Sequence, residues 1–340
     1  MSDTRPVIGV TMGDPVGVGP EIICRALSGT AIHDHVRPLV IGDHGIIRIA
    51  AGIAGSRAEI RIVEQPEPAD YSPGIINVLA LSALDTATHR WGRPDRKTGR
   101  AMLEYIEKGI DMAMQGEISG LATCPINKAA MKLAGSSYPG HTEILAQRTG
   151  TGKYAMMMAG NSLRVVLTTI HIPLRSVPDS IDEAGIETII RLTDQSLKAR
   201  FGIKEPRVAV AGLNPHAGED EMFGNEETRV IRPAIARAVS AGINASGPHP
   251  PDTVFYNAAR GAYDAVVCMY HDQALIPFKM LHFSDGVNTT LGLPIIRTSV
   301  DHGTAYDIAG QGVADPGSLV AAIEMASEHA RRMRTDVSES

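Results

Sequence analysis

The feature that most constrains the fold is a recurring one: short apolar runs that each stop at a polar or ionisable cluster. Pro6 to Met12, Val36 to Ile41, Glu59 to Val63, Gly120 to Ala122, Tyr154 to Ala159, Leu163 to Thr168, Arg207 to Ala211 and Val266 to Met269 read as strands. Helical spacing fills many of the gaps, as in Thr98 to Gln115 with Met102, Ile106 and Ile110 on one face. Strands that alternate with helices predict a largely parallel sheet covered by helices. One exception is expected, because Gly160-Asn161-Ser162 between two apolar runs reads as a hairpin. The 34 glycines and 21 prolines supply the turns, and 340 residues suit two domains or one large domain with an insertion.

Several function classes are disfavoured from the start. A net charge of −6 gives no basic footprint for nucleic acid and no attraction to an anionic membrane. Cys24, Cys124 and Cys268 are widely separated, form no CxxC pair, and suit inert core positions in a reducing compartment. With no signal-like N-terminus and no apolar run of spanning length, the expected location is cytoplasmic.

Chemistry concentrates at the ends of the apolar runs, where open α/β sheets place their ligands. His171, His216 and His271 each follow such a run. Each reads either as a satisfied core histidine or as one of three imidazoles that hold a divalent ion and leave positions open for substrate. Lys279 sits between Phe278 and Met280, so its ammonium must meet an anion or reach back to water. Arg297 follows Leu293-Pro294-Ile295-Ile296 at the end of an apolar run, where a guanidinium suits a carboxylate or phosphate, or a structural ion pair.

Other positions carry two readings. Gly13 to Glu21 is a glycine-rich turn without GxGxxG spacing, suited to an anion or simply to a close strand-to-helix passage. Lys128 opens a helix against its dipole, which hints at a ligand contact. His141 or Thr142 can stand at a helix N-terminus, as a cap or as part of an anion cradle. The helix from Ile181 to Arg200 is expected to be capped by Asp179 or Ser180, and Glu226 and Glu227 read as structural acids of a helix's first turn. Asp252 reads as an N-cap or as an acid/base group.

The strings MGDPVGVGPE, YPGHTE, TIHIPLR, GLNPHAGE, GPHPPDTVF, YHDQALIPFK, GVNTTLGLPIIRTS and DHGTAYDIAGQG resemble the 4-hydroxythreonine-4-phosphate dehydrogenase (PdxA) family along essentially the whole chain. The resemblance implies an α/β, two-domain fold like that of isocitrate and isopropylmalate dehydrogenases, with the active site in the interdomain cleft. Residues 1–130 with 290–340 would form the domain carrying the cofactor-side loop, and 131–289 the domain carrying metal and substrate ligands. It implies that His171, His216 and His271 bind one divalent metal (zinc, magnesium, cobalt or nickel), and that His141, Thr142, Lys279, Asn288 and Arg297 hold a small phosphorylated hydroxy acid. Lys279 or Asp252 would accept the hydroxyl proton. A homodimer with each site completed across the interface is also implied.

The segment His302 to Pro316 resembles the adenosine-binding loop of those decarboxylating dehydrogenases, which makes Gly303, Asp307 and Gly310 the cofactor-side candidates for NAD or NADP. The implied reaction is oxidation of a secondary alcohol followed by decarboxylation, converting 4-(phosphooxy)-L-threonine to 3-amino-2-oxopropyl phosphate and carbon dioxide in vitamin B6 synthesis. The versions FGNEETRVIRPAI, GPHPPDTVF and YHDQALIPFK resemble paralogues that oxidise 4-phospho-D-threonate or 4-phospho-D-erythronate to dihydroxyacetone phosphate. A metal-dependent sugar-phosphate lyase or hydrolase is the alternative from another class. Nicotinamide reduction separates it from the dehydrogenase.

Overall fold

The computed structural model describes residues 3–138 and 140–338. The chain divides into two compact units, Met1–Gly152 with Leu293–Arg331, and Lys153–Gly292 with Arg332–Ser340. The first crossing therefore lies later than the expected boundary at 130, and His141 and Thr142 belong to the first unit.

In chain order the first unit supplies β1 (Val7–Thr11), α1 (Gly19–Leu27), β2 (Arg37–Asp43), α2 (His44–Ile53), β3 (Glu59–Val63), β4 (Ile75–Ser82), α3 (Arg96–Met114), β5 (Gly120–Thr123), α4 (Lys128–Leu133) and α5 (His141–Arg148). The second supplies β6 (Ala155–Ala159), β7 (Arg164–Leu167), α6 (Val177–Ser180), α7 (Glu183–Ala199), β8 (Val208–Ala211), α8 (Arg232–Ser240), β9 (Ala245–His249), α9 (Pro251–Ala259), β10 (Ala265–Cys268), α10 (His271–Leu281) and β11 (Val287–Leu291). The chain closes with β12 (Arg297–Val300) and α11 (Gly317–Ser338).

The first unit's strands run β3-β4-β2-β1-β5-β12, every pairing parallel. The central strands are covered on both faces and are largely apolar, with Ile8, Val10, Leu39, Val40, Ile41, Ile76 and Leu121 buried, whereas the edge strand β3 (EIRIV) is partly exposed and β12 (RTSV) is buried with polar side chains. Helix starts follow local chemistry. Asp43 ends β2 and caps α2 by accepting the Ile46 N–H at 3.0 Å, while Asp95 and Thr98 close a reciprocal capping box on α3.

The second unit's order is β11-β6-β7-β10-β8-β9. The expected hairpin is present: β6 and β7 pair antiparallel, with the Gly160 N–H bonded to the Leu163 carbonyl at 3.0 Å. From β7 across β10 and β8 to β9 all pairings are parallel. Val165, Leu167, Ala209, Val266, Cys268, Leu275 and Phe278 form its core. All three cysteines are free and buried, and burial alone drives the thiols of Cys124 and Cys268 far above their ordinary value. Among the described residues no helix is long and apolar enough to cross a membrane.

Several expectations need correction. The helix expected from Ile181 starts at Glu183 and is capped by Asp182, whose carboxylate accepts the Gly185 N–H at 2.6 Å. Asp252 does not cap its helix; Pro250 holds that place, and Asp252 lies exposed in the first turn. Arg297 opens β12 instead of ending a strand, since the apolar run before it, with Leu293, Ile295 and Ile296 buried, precedes the strand. β4, β9, β11 and β12 are strands that the apolar-run criterion missed; β9 (ASGPH), β11 (VNTTL) and β12 (RTSV) hold mostly small or polar residues.

One tie organises the first unit. Glu21 on α1 is fully buried, and its carboxylate accepts the backbone N–H of Gly310 and, at 2.6 Å, that of Gly312. Arg25, one turn on, donates to the Gly312 carbonyl at 2.8 Å. The loop after β12 is thereby fastened to α1. Glu21→Ala leaves two donors without an acceptor and should lower unfolding stability by about 3 kcal/mol in urea titration, and Glu21→Gln, which keeps a carbonyl acceptor, by less.

Candidate active site

A parallel sheet collects its strand C-termini on one edge, and in the second unit three of them carry imidazoles. β7 ends at Leu167 and reaches His171, β10 ends at Cys268 and reaches His271, and β8 ends at Ala211 and reaches His216. β10 lies between the other two, and neighbouring strands stand about 4.8 Å apart. The three histidines thus leave adjoining positions of one edge, with Asp252 just past the end of the next strand, β9.

These strand ends are laced together by polar groups. Thr169 sends both its N–H (3.2 Å) and its hydroxyl (2.7 Å) to the Met269 carbonyl, joining the ends of β7 and β10. Gln273, buried in the first turn of α10, accepts the Met269 N–H at 2.7 Å and donates to the Gly212 carbonyl at 2.6 Å, joining the ends of β10 and β8. Glu227 accepts the backbone N–H groups of Leu213 and Asn214, both at 2.7 Å. Thr169, Gln273 and Glu227 were not legible as site residues, because nothing in one strand's sequence names the neighbour whose end it must meet.

The histidines are not core residues. His171 and His216 are exposed and His271 is half-buried, so the alternative of a satisfied interior imidazole does not hold. The rings of His171 and His271 lie 5.6 Å apart between centroids, while His216 rests against Phe223 at 6.2 Å. Asp272 Oδ1 is 2.8 Å from His271 Nδ1, an arrangement in which the carboxylate accepts a hydrogen bond from the Nδ1–H and leaves the Nε2 lone pair to face a cation. Among the described residues no three histidine, cysteine or acidic side chains already converge at metal-binding distance. The donors nonetheless fit a divalent ion: three solvent-reachable imidazoles on adjoining strand ends, one already oriented by a carboxylate.

Other candidates divide between the units. Lys279 lies half-buried on α10, about 12 Å along the axis from His271. Asn288 on β11 stands opposite Met158, which faces Val165, so by register it lies toward the start of β7 and away from the histidine edge; its Oδ1 is buried and accepts no hydrogen bond.

In the first unit, His141 and Thr142 open α5 behind Gly140, which provides no side-chain cap, so the first-turn amides are not capped by a side chain; Pro139 of the same string lies outside the described residues. Arg297 is 2% exposed and donates to Thr123 Oγ1 at 2.9 Å; burial lowers its pKa to about 10, which leaves it charged at neutral pH. His141 is held well below the ordinary histidine value by burial and, secondarily, by the Arg297 charge, and its buried Nε2 has no hydrogen-bond partner. A desolvated guanidinium beside a neutral imidazole at an uncapped helix start is suited to a phosphate or carboxylate.

The glycine-rich turn resolves to its structural reading. The Asp14 N–H bonds to the Pro125 carbonyl, Gly17 to Asp14 and Val18 to Thr304, while Val16 N–H meets Asp14 Oδ1 at 3.1 Å. The amides of Asp14, Val16, Gly17 and Val18 are therefore committed, and a Cβ on Gly13 or Gly19 would collide with the Pro125 or Met12 carbonyl. Of the cofactor-side candidates, Gly303 and Asp307 are exposed, with open space around Gly303. The Gly310 N–H is given to Glu21, and Trp91 lies directly over its Cα, so this glycine contributes shape.

The chain matches the family model described as pyridoxal phosphate biosynthetic protein PdxA over residues 34–326. It is 59% identical over 327 residues to a protein of Desulforapulum autotrophicum named 4-hydroxythreonine-4-phosphate dehydrogenase, covering 96% of each chain. It is 44% identical over 323 residues to a Salmonella typhimurium protein named D-threonate 4-phosphate dehydrogenase, covering 94% of this chain and 98% of the other. The crystal structure of 4-hydroxythreonine-4-phosphate dehydrogenase from Klebsiella pneumoniae superposes with a TM-score of 0.89 at 44% identity, covering 97% of this chain and 99% of that one.

The state of His141 has a measurable consequence. Its folded pKa lies below the unfolded value of about 6.5, so above that pH both states are neutral and the group costs nothing. As pH falls through about 6.5 the unfolded chain takes up a proton that the folded chain refuses, and stability falls. His141→Gln removes this share, and its Tm should decline less steeply than wild type between about pH 6.5 and 5.

Proposed function

Because this chain belongs to the PdxA family, we propose that it is an NAD(P)- and divalent-metal-dependent dehydrogenase that oxidatively decarboxylates a 4-phosphorylated 3-hydroxy acid, with 4-(phosphooxy)-L-threonine as substrate and 3-amino-2-oxopropyl phosphate and carbon dioxide as products. The observation that carries the reading is the row of His171, His271 and His216 on three adjoining parallel strand ends. The name borne by the relatives at 59% identity supports this substrate. The relatives named for D-threonate 4-phosphate, at 44% identity, support a second reading in which 4-phospho-D-threonate yields dihydroxyacetone phosphate.

The groups to be bound supply Lewis acidity, from the divalent ion, and hydride acceptance, from the nicotinamide. The chain's own residues bind, orient and move protons. His171, His216 and His271 would hold the ion, with Asp272 keeping the His271 tautomer. Arg297, His141 and Thr142, together with Lys279 and Asn288, would neutralise and fix the phosphate and carboxylate, so that the carbinol hydrogen is presented in one direction. Lys279 or Asp252 would accept the hydroxyl proton. The resulting β-keto acid loses carbon dioxide by cleavage of the bond to its carboxyl carbon, and the electron pair left behind takes up a proton. Gly303 and Asp307 are the cofactor-side contacts in this reading, on a loop shaped by Gly310.

A homodimer belongs to the same reading. Ile276, Met280, Leu281 and Phe283 are exposed along α10 and just beyond it, with Phe283 82% exposed, and a second copy would cover such an apolar surface. Sedimentation should give a dimer. A cytoplasmic location rests on the three free, buried thiols.

The deciding experiment is nicotinamide reduction with added divalent metal, offering NAD and NADP in turn, on 4-(phosphooxy)-L-threonine, 4-phospho-D-threonate and 4-phospho-D-erythronate. Preference for the amino acid supports the first reading and preference for a sugar acid the second. Metal-dependent turnover without nicotinamide reduction would overturn both. His171→Ala should reduce kcat at least 100-fold and abolish tight metal binding.

A further inference from the structure

The loop that carries His216 is built around a buried acid with no assigned role. From His216 to Glu221 every residue has a left-handed backbone, with φ of 52, 54, 86, 39, 52 and 71°. Only Gly218 among them is glycine, and side-chain-bearing residues rarely adopt this conformation even singly. A run of this kind persists only where its surroundings over-determine it.

Glu227 supplies that constraint. It is 2% exposed, on the π-helical turn Glu227–Ile231, a backbone irregularity that recurs at functional sites. One carboxylate oxygen accepts the N–H groups of Leu213 and Asn214, each at 2.7 Å, and the other accepts Asn214 Nδ2 at 3.0 Å. Glu226 takes the same Nδ2 at 2.7 Å. A Cβ on Gly212 would come within 3.1 Å of one Glu227 oxygen, and one on Gly218 within 2.8 Å of the other. Glycines before and after His216 are thus closed onto the carboxylate. Gln273 holds the Gly212 carbonyl from the other side.

We propose that Glu227 is the positioning residue for His216, holding the end of β8 and the left-handed run in the one arrangement that presents this imidazole to the divalent ion. The inference rests on the metal reading above. Glu227 touches neither ion nor substrate in this scheme. Its carboxylate replaces the ladder partners that Leu213 and Asn214 lose where β8 ends, and a loop so fixed spends no ordering entropy when metal arrives.

The test is Co²⁺ titration of the full chain, followed by calorimetry and by the visible absorption of imidazole-bound cobalt, with Tm of the metal-free protein measured alongside. Glu227→Ala should weaken Co²⁺ binding 10- to 100-fold and alter the cobalt spectrum. Glu227→Gln, which keeps a carbonyl for both backbone amides, should stay within about fivefold of wild type, as rescue by a conservative change requires. Should the alanine variant not fold, Glu227→Asp retains the charge but is one methylene too short to reach both amides, and about a tenfold loss is expected. Folded Ala or Asp variants with lowered Tm but wild-type cobalt affinity and spectrum would overturn the proposal, leaving Glu227 a purely structural acid. Cobalt affinity that His171→Ala and His216→Ala leave unchanged would overturn the metal reading itself, and this inference with it.

Discussion

The loops that leave a parallel sheet carry backbone groups that no neighbouring strand satisfies, and in each unit of this protein a buried glutamate supplies acceptors for such a loop. Glu21 receives the amides of Gly310 and Gly312, and Glu227 those of Leu213 and Asn214. Burying a carboxylate is costly unless hydrogen bonds replace its water, so each tie stands only while its loop keeps one shape. Loops otherwise free to wander are made rigid by the same interaction. The loops fastened this way carry the cofactor-side candidates in one unit and His216 in the other.

The remaining polar groups at the histidine edge follow the same logic. Thr169 and Gln273 join the ends of β7, β10 and β8, so the spacing of the imidazoles is inherited from strand spacing and does not depend on side-chain packing. Asp272 adds the orientation of one ring. In the first unit the electrostatics differ. Arg297 remains charged though 2% exposed, and His141 beside it is kept neutral, so the pair offers an anion one full positive charge and a hydrogen-bonding imidazole with little competing water.

Legibility in the sequence followed the physical range of each signal. Apolar runs bounded by turns located β1, β2, β3, β5, β6, β7, β8 and β10, because a covered strand face must present apolar side chains, on both faces in the centre of a sheet and on one at the edge strand β3. The same criterion missed β9 and β11, whose polar and small residues pair without announcing it. Caps read from composition were displaced by two or three residues: Asp182 took the place expected of Asp179 or Ser180, and Pro250 that of Asp252. At two places the contacts added what the sequence left open. The glycines from Gly13 to Gly19 serve close backbone passage, the second of their two readings, and Glu227, a first-turn acid as expected, also reaches back to the end of β8.

The sequence by itself determined the α/β class, the hairpin, the strand-end positions of the three histidines and, through its motifs, the family. Those depend on residue type and on neighbours within a few positions. Only the tertiary structure decided that β10 lies between β7 and β8, and that Arg297 begins its strand beside His141. It alone decided that Glu21 and Glu227 accept the amides of loops 289 and 13 residues away. Strand order and buried acceptors are properties of contacts between distant segments, and a contact becomes specific only when a particular backbone group, stripped of water, must find the one partner that packing leaves within reach.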